Sequence, residues 1–319
     1  MTRRGLALCL LTALVLAACT VPQKRASTDV STVPVTRDQV ERILERYASV
    51  RATAGRLLDA KPLSTVEAEG VLAIDTGSFE VAQRLEQAAG ESAGPVGEVV
   101  QVATPRFARY PLWFMVETRD PSDEVNRVQV FERSSAVDPW LLVASPETVL
   151  STELPELRRR DGVALRVPPD SDTGMSTSPQ AAADAYAATL ADADAEEAGT
   201  IEQDDFVEQM RAAARTNAAL EDVTFSQEWS AQEVSHVLRT SDGGALVFAT
   251  LERVDRYEVG DGKRVQWPPG SPQSALLEAG LSSVGSLTYL HQVLILVPGG
   301  EAKPRVIGQF GGVTEADTP

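Results

Sequence analysis

Residues 20–35 are mostly polar, with Pro22, Pro34 and several Ser and Thr, and no apolar period runs through them. A stretch of that kind reads as a flexible tether. The texture changes at Thr36-Arg37-Asp38-Gln39, which has the form of a capping box. Apolar residues then recur at Val40, Ile43, Leu44, Tyr47 and Val50, followed by Leu57 and Leu58. This spacing predicts an amphipathic helix. Pro62 interrupts it, a second helical stretch is expected over about 64–74 and a third over 78–89, and residues 90–97 close the helical region. Beyond Gly97 the period shortens towards two, which predicts strands at 98–103, 113–118, 125–133 and 140–144, with turns at 119–123 and at Asp138-Pro139.

The second half repeats this order. Segment 167–179 carries Pro168, Pro169 and Pro179 without an apolar period, so the domain boundary is expected there. Ser178-Pro179 supplies an N-cap with Pro behind it, opening an Ala-rich helix through Tyr186 and Leu190. Another helix is expected over 204–220, with Phe206 and Met210 on one side. Strands follow at 223–229, 235–240, 245–259, 287–297 and 305–310. Asp242-Gly243 and Asp261-Gly262 are hairpin signals, and a short helix over 271–279 should cross an end of the sheet. Runs of strands after runs of helices argue for an α+β fold over a doubly wound parallel sheet. The expected plan is two α+β domains, 36–166 and 180–319, joined by the 167–179 linker, each with two or three helices packed on a curved antiparallel sheet.

The N-terminus carries an address. Arg3 and Arg4 precede an uncharged apolar run over 5–18 that ends in Leu16-Ala17-Ala18-Cys19. A basic start, a short apolar run and small residues before a cleavage point form an export signal, and the run is too short to span a membrane. Cys after the small residues makes it a lipobox: residues 1–18 are the signal peptide, the cut falls behind Ala18, and Cys19 receives the lipid. Residues 19–35 then form the tether. The chain has two Cys. Cys9 lies in the discarded run, so lipidation of Cys19 leaves no free thiol in an oxidising compartment. Two or more acyl chains, palmitate among them, anchor stably where one would not.

Composition and charge narrow the partners. Hydrophobic residues make up 43% of the 319, an ordinary globular share, while only four Lys and two Asn suggest a high-GC genome. The formal charge is −17, and residues 167–319 carry nine basic residues against 24 acidic ones. Nucleic acid is excluded as a partner, because that affinity comes from Lys and Arg neutralising phosphates. The same acidic field keeps the body off anionic lipid, so the lipid on Cys19 is the expected membrane contact.

Little in the sequence speaks for chemistry. His236 and His291 each stand inside a predicted strand without a neighbouring His, Cys or spaced carboxylate. They read as ordinary packed histidines; only a pocket shared with Asp or Glu would make one a general base. Asp192-Ala-Asp194-Ala-Glu196-Glu197 and Asp170-Ser-Asp172-Thr-Gly174 lack calcium-loop spacing, no nucleophile elbow or phosphate loop is present, and 308–312 reads as a glycine-rich bulge or turn. No catalytic, cofactor or metal residue is therefore assigned, and a non-enzymatic protein is expected. Tyr110, Trp113, Phe114, Trp140, Trp229, Tyr257 and Tyr289 are candidates either for core packing or for lining a ligand pocket.

The lipobox, Arg46-Tyr47, Leu57-Leu58-Asp59 to Thr65-Val66-Glu67, Tyr110-Pro111-Leu112-Trp113-Phe114 and Pro139-Trp140-Leu141 together resemble the uncharacterised lipoproteins of actinobacteria that carry a domain of unknown function. The helices-then-sheet order is also similar to nuclear-transport-factor-two-like cones, whose enzymes use Asp and His in the cavity; no such pair matches here residue by residue. The resemblance implies a lipid-anchored protein at the outer face of the cytoplasmic membrane, in the cell envelope, with an interaction or scaffold role towards an envelope partner. The alternative is a lipoprotein binding a small ligand in an aromatic-lined cone.

Overall fold

Helix α1 (Arg37–Leu57) starts where the capping box puts it: the Thr36 amide donates to Gln39 Oε1 at 2.8 Å, and the Gln39 amide returns to the Thr36 side chain. Residues 33–87, 97–120, 124–277 and 280–318 are described by this computed structural model. The expected signal peptide, Cys19 and most of the expected tether lie outside them, as does most of 90–97. Val35, at the expected end of the tether, is buried beside Val40 and Leu44, so the folded body begins before Thr36.

After a 3₁₀ turn at Lys61–Thr65, one helix, α2 (Glu69–Arg84), replaces the two stretches expected over 64–89. Asp75-Thr76-Gly77-Ser78 looks like a turn in sequence. In the structure Gly77 lies in the middle of the helix, where a Cβ would land on the backbone carbonyl of Val313. The glycine lets two backbones touch and does not break the helix.

The strands are β1 (Glu98–Ala103), β2 (Leu112–Asp120), β3 (Val125–Arg133), β4 (Leu141–Ala144), β5 (Glu147–Val149), β8 (Val223–Ala231), β9 (His236–Arg239), β10 (Ala245–Val259), β11 (Val284–Val297) and β12 (Arg305–Asp317). They form one antiparallel sheet in the order β1-β2-β3-β5-β12-β11-β10-β8, with β4 on β3 and β9 on β10. A separate two-stranded ribbon pairs β6 (Arg159–Arg160) with β7 (Val163–Ala164). The α+β class is as expected.

The division into two sheets is not. The C-terminal strand β12 sits between β11 and β5 of the first half, with Gln309 opposite Glu147, and Val33–Pro319 forms one compact unit. The expected linker is tied down: the Val167 amide donates to Val237 O, Met175 bridges Gly299, and both side chains are buried. Lack of periodicity there marks irregular backbone pinned to its neighbours and not a hinge.

The reason lies in the apolar runs. Leu112 to Val116 in β2, Ala245 to Ala249 in β10 and Val293 to Val297 in β11 are buried without alternation. Strands covered on both faces read as continuous apolar runs. Phe114 and Val116 meet Val40, Leu44 and Val71 of the first helices, while Trp113 and Met115 meet Leu238, Leu246, Phe248 and Leu294 from the other half. The curved sheet thus closes over its own core. Helix α3 (Pro179–Ala191), capped by Ser178, and α4 (Asp205–Ala218) cover Val247, Leu251, Val293 and Ile295.

Asp242-Gly243 makes the β9–β10 hairpin with Gly243 at φ +94°, as its sequence signals. Asp261-Gly262 also turns, but it opens a long excursion through α5 (Pro272–Leu276) before β11. Residues 278–279 of the expected helix lie outside the described residues.

Candidate functional site

A groove of about 560 Å³ opens where β5, β12 and the start of α4 meet. It is lined by Glu147 to Val149 with Thr152 and Glu153, by Asp204, Asp205 and Phe206, and by Leu296 with Arg305 to Gln309. The sequence builds these segments locally. The Thr152 amide donates to Val149 O at 2.9 Å and turns the chain after β5. Asp204 caps α4, its Oδ1 accepting from the Val207 amide at 2.9 Å and its Oδ2 from the Tyr186 hydroxyl at 2.8 Å. The Glu202 amide donates to Pro304 O at 2.9 Å, which fixes the entry to α4 against β12.

Gly308 belongs to the glycine run read as a bulge, and the β11–β12 ladder does slip register beside it. A Cβ on Gly308 would meet Thr148 and the Glu147 backbone. That close approach buries Thr148, whose Oγ1 has no hydrogen-bond partner among the described residues. At the rim, consecutive apolar residues face solvent, Val149 at 62% and Leu150 at 38% exposure. Exposed apolar residues adjacent to a concavity mark interaction surfaces more often than isolated ones do.

The histidines sit elsewhere. His236 is nearly buried, with Nδ1 3.0 Å from Ser235 Oγ and Nε2 3.0 Å from Glu132 Oε2. The arrangement in which Ser235 donates to Nδ1 and Nε2 donates to Glu132 satisfies all three groups. The edge of Trp113 closes the ring's side at 5.2 Å. Glu69, with φ +51°, shares a cavity of about 60 Å³ with His236, and burial followed by the Glu132 charge raises its pKa. The fold therefore does bring His236 next to carboxylates, which the sequence spacing does not show. That cavity has room for water and not for a substrate of ordinary size.

His291 is packed against Trp229, Phe206 and Tyr289, and burial, with Arg253 nearby, pushes its pKa down to about 3. Its ring is neutral at physiological pH and belongs to the core. Arg253 lies 3.7 Å over the Tyr289 ring and beside Asp255.

A further buried polar cluster escaped the sequence reading. Arg51 of α1 donates to Glu67 Oε1 at 3.1 Å and pairs with Asp75 of α2; both carboxylates are almost fully buried. Burial outweighs Arg51 and raises the Glu67 pKa to about 7. The only hint in sequence is helical phase, since Arg51 lies one turn along α1 from Tyr47, whose hydroxyl hydrogen-bonds Glu67.

The other candidates fall out plainly. Trp113, Phe114 and Tyr257 are core residues and Tyr289 is buried, whereas Tyr110 is exposed; none of the seven aromatics weighed in sequence lines either cavity. Asp170, Asp172, Asp192, Asp194, Glu196 and Glu197 are exposed, and no group of three or more His, Cys, Asp and Glu among the described residues could hold a metal ion. Among the described residues no helix is long and apolar enough to cross a membrane.

Residues 32–318 match the domain of unknown function DUF8094. An uncharacterized lipoprotein of Streptomyces avermitilis is 27% identical over 228 residues, which is 70% of this chain and 66% of that relative. The chain therefore spans just under two thirds of that relative's length. A second uncharacterized lipoprotein, from Streptomyces coelicolor, is 24% identical over 288 residues, covering 88% of this chain and 84% of the relative. No solved structure gives a significant match. With the family signature running from the last residues of the tether to the final strand, the chain belongs to the DUF8094 family, among relatives named as lipoproteins.

Proposed function

We propose that this protein is anchored to the outer face of the cytoplasmic membrane by acyl chains on Cys19, after cleavage behind Ala18, and that it works by binding an envelope partner and not by catalysis. The lipobox and the naming of two relatives as lipoproteins support the anchor. The observation that carries the binding role is the groove with the exposed Val149-Leu150 rim, built from elements of both halves of the chain. Both histidines support the non-catalytic reading, one enclosed by aromatic rings and the other saturated by Ser235 and Glu132 over a cavity of about 60 Å³.

A photo-crosslinking side chain at Leu150 in living cells, compared with one at the exposed Glu196, tests this reading. A discrete adduct from the rim position alone is expected, with Cys19→Ser losing it as the protein leaves the membrane fraction. Equal crosslinking from both positions, or none from the rim, contradicts the binding role.

A further inference from the structure

We infer that one end of the molecule docks on the anionic lipid headgroups of the membrane that holds the anchor; this goes beyond the partner-binding role and takes its reach from the lipid on Cys19. The strand register gathers three segments there. β1 stops at Ala103, and β2 starts at Leu112 opposite Arg133, the last residue of β3, so 104–111 and 134–138 leave the sheet at the same end. The β6–β7 ribbon lies against the first of them: Pro105 bridges Ala164, Arg159 Nη2 donates to Val102 O at 2.9 Å, and the Arg166 guanidinium sits 4.5 Å over the Phe107 ring.

These segments are basic. Arg106 and Arg109 in the loop, with Arg158, Arg159, Arg160 and Arg166 in and beside the ribbon, are all exposed, and none forms an ion pair among the described residues. The acidic residues of the same segments are Asp138 and Asp161. Arg158 also stands close to Arg239, whose pKa falls through burial first and that charge second. The formal charge of −17 hides this excess, because 24 of the 46 acidic residues belong to 167–319. A body charged so unevenly turns its positive end towards an anionic surface and its acidic part away.

Two further observations point to lipid as the occupant. Tyr110 and Val137, at the same end, are 40% and 92% exposed. A tyrosine ring and an apolar side chain beside cations suit the membrane–water interface, whereas a soluble polyanion would leave both in water. The length of the chain supplies the other. From Cys19 to Val33 it can span at most about 50 Å. Val35, where it enters the body, shares a core cluster with Val102, whose carbonyl receives Arg159. Contacts too weak to hold a free protein become effective once the anchor makes them intramolecular.

The test uses the full lipoprotein with Ala108→Cys, between Arg106 and Arg109, carrying a nitrobenzoxadiazole label; lipid blocks the thiol of Cys19, and 1–18 are gone. It is mixed with vesicles of phosphatidylcholine, alone or with an equal part of phosphatidylglycerol, and flotation and emission are read together. Flotation with both is expected. Emission should shift to the blue and rise about threefold on the anionic vesicles alone, and both changes should vanish in about 1 M NaCl, where the screening length is about 3 Å. The triple variant Arg106→Glu, Arg109→Glu, Arg160→Glu should float and melt like wild type and lose the shift, since these side chains make no hydrogen bond or ion pair among the described residues. No shift, a shift of equal size on neutral vesicles, or one that the triple variant keeps would overturn the docking surface. The same change with soluble polyphosphate would replace lipid by a free polyanion and overturn it too. A chain that shifts on anionic vesicles but does not float with neutral ones would lose the anchor and keep the docking surface.

Discussion

Replacing Arg51 with Met is expected to cost about 3–5 kcal/mol of folding stability at pH 8, because it strands two carboxylates that the fold keeps from water. Glu67 and Asp75 are 1% and 3% exposed, and Arg51 is the cation that faces both. The loss should shrink at low pH. In the wild type the Glu67 pKa rises from the ordinary 4.5 to about 7, with burial first among the causes. A carboxyl whose folded pKa is raised leaves stability intact below the unfolded value and removes it as pH climbs to the folded one. Wild-type stability should therefore decline between about pH 4.5 and pH 7, by at most about 3 kcal/mol from this group. Glu67→Gln should flatten that decline and soften Arg51→Met at pH 8. Chemical denaturation at pH 5 and pH 8 checks each step; a loss below about 1 kcal/mol at both pH values would show that α1 is not held to α2 through this cluster.

The second large effect concerns a pair of glycines. In a helix interior Gly→Ala ordinarily stabilises by about 0.5–1 kcal/mol. Gly55 of α1 has open space where a Cβ would go, so Gly55→Ala should follow that rule. Gly77→Ala should reverse it, losing about 3 kcal/mol, because the added methyl meets the main chain of Val313 and neither backbone can yield cheaply. The reversal matters because α2 belongs to the first half of the chain and β12 to its end. Separation of α2 from β12 would unseat the strand that lines the groove. Paired thermal melts of the two variants decide the matter, and two stabilising substitutions would remove Gly77 from the argument.

Gly77 also shows why part of the fold was hidden in the sequence. Its neighbours Asp75, Thr76 and Ser78 are turn formers, so local chemistry argued for a break, while the reason for the glycine lies on a strand more than two hundred residues away. Local signals were otherwise sound where local forces decide. The Thr36 capping box, the Ser178-Pro179 helix start, the Asp242-Gly243 hairpin and strands β1, β3 and β10 fall where periodicity and turn chemistry put them. The continuous sheet was legible only indirectly, in the unalternating runs of β2, β10 and β11, which signal strands covered on both faces without saying by what. The same holds for the groove and for the His236–Glu132 contact: Thr148 meets Gly308, and residue 236 meets residue 132, through pairings that no short spacing encodes.

Everything proposed about location turns on the first residue of the processed chain. Intact-mass and N-terminal peptide measurement on protein extracted from native membranes is the most direct test. The expected terminus is Cys19 carrying a diacylglyceryl group on its sulfur, with residues 1–18 gone. A bare Cys19, or a chain still beginning at Met1, would contradict the lipid anchor and with it the placement of the groove outside the cell.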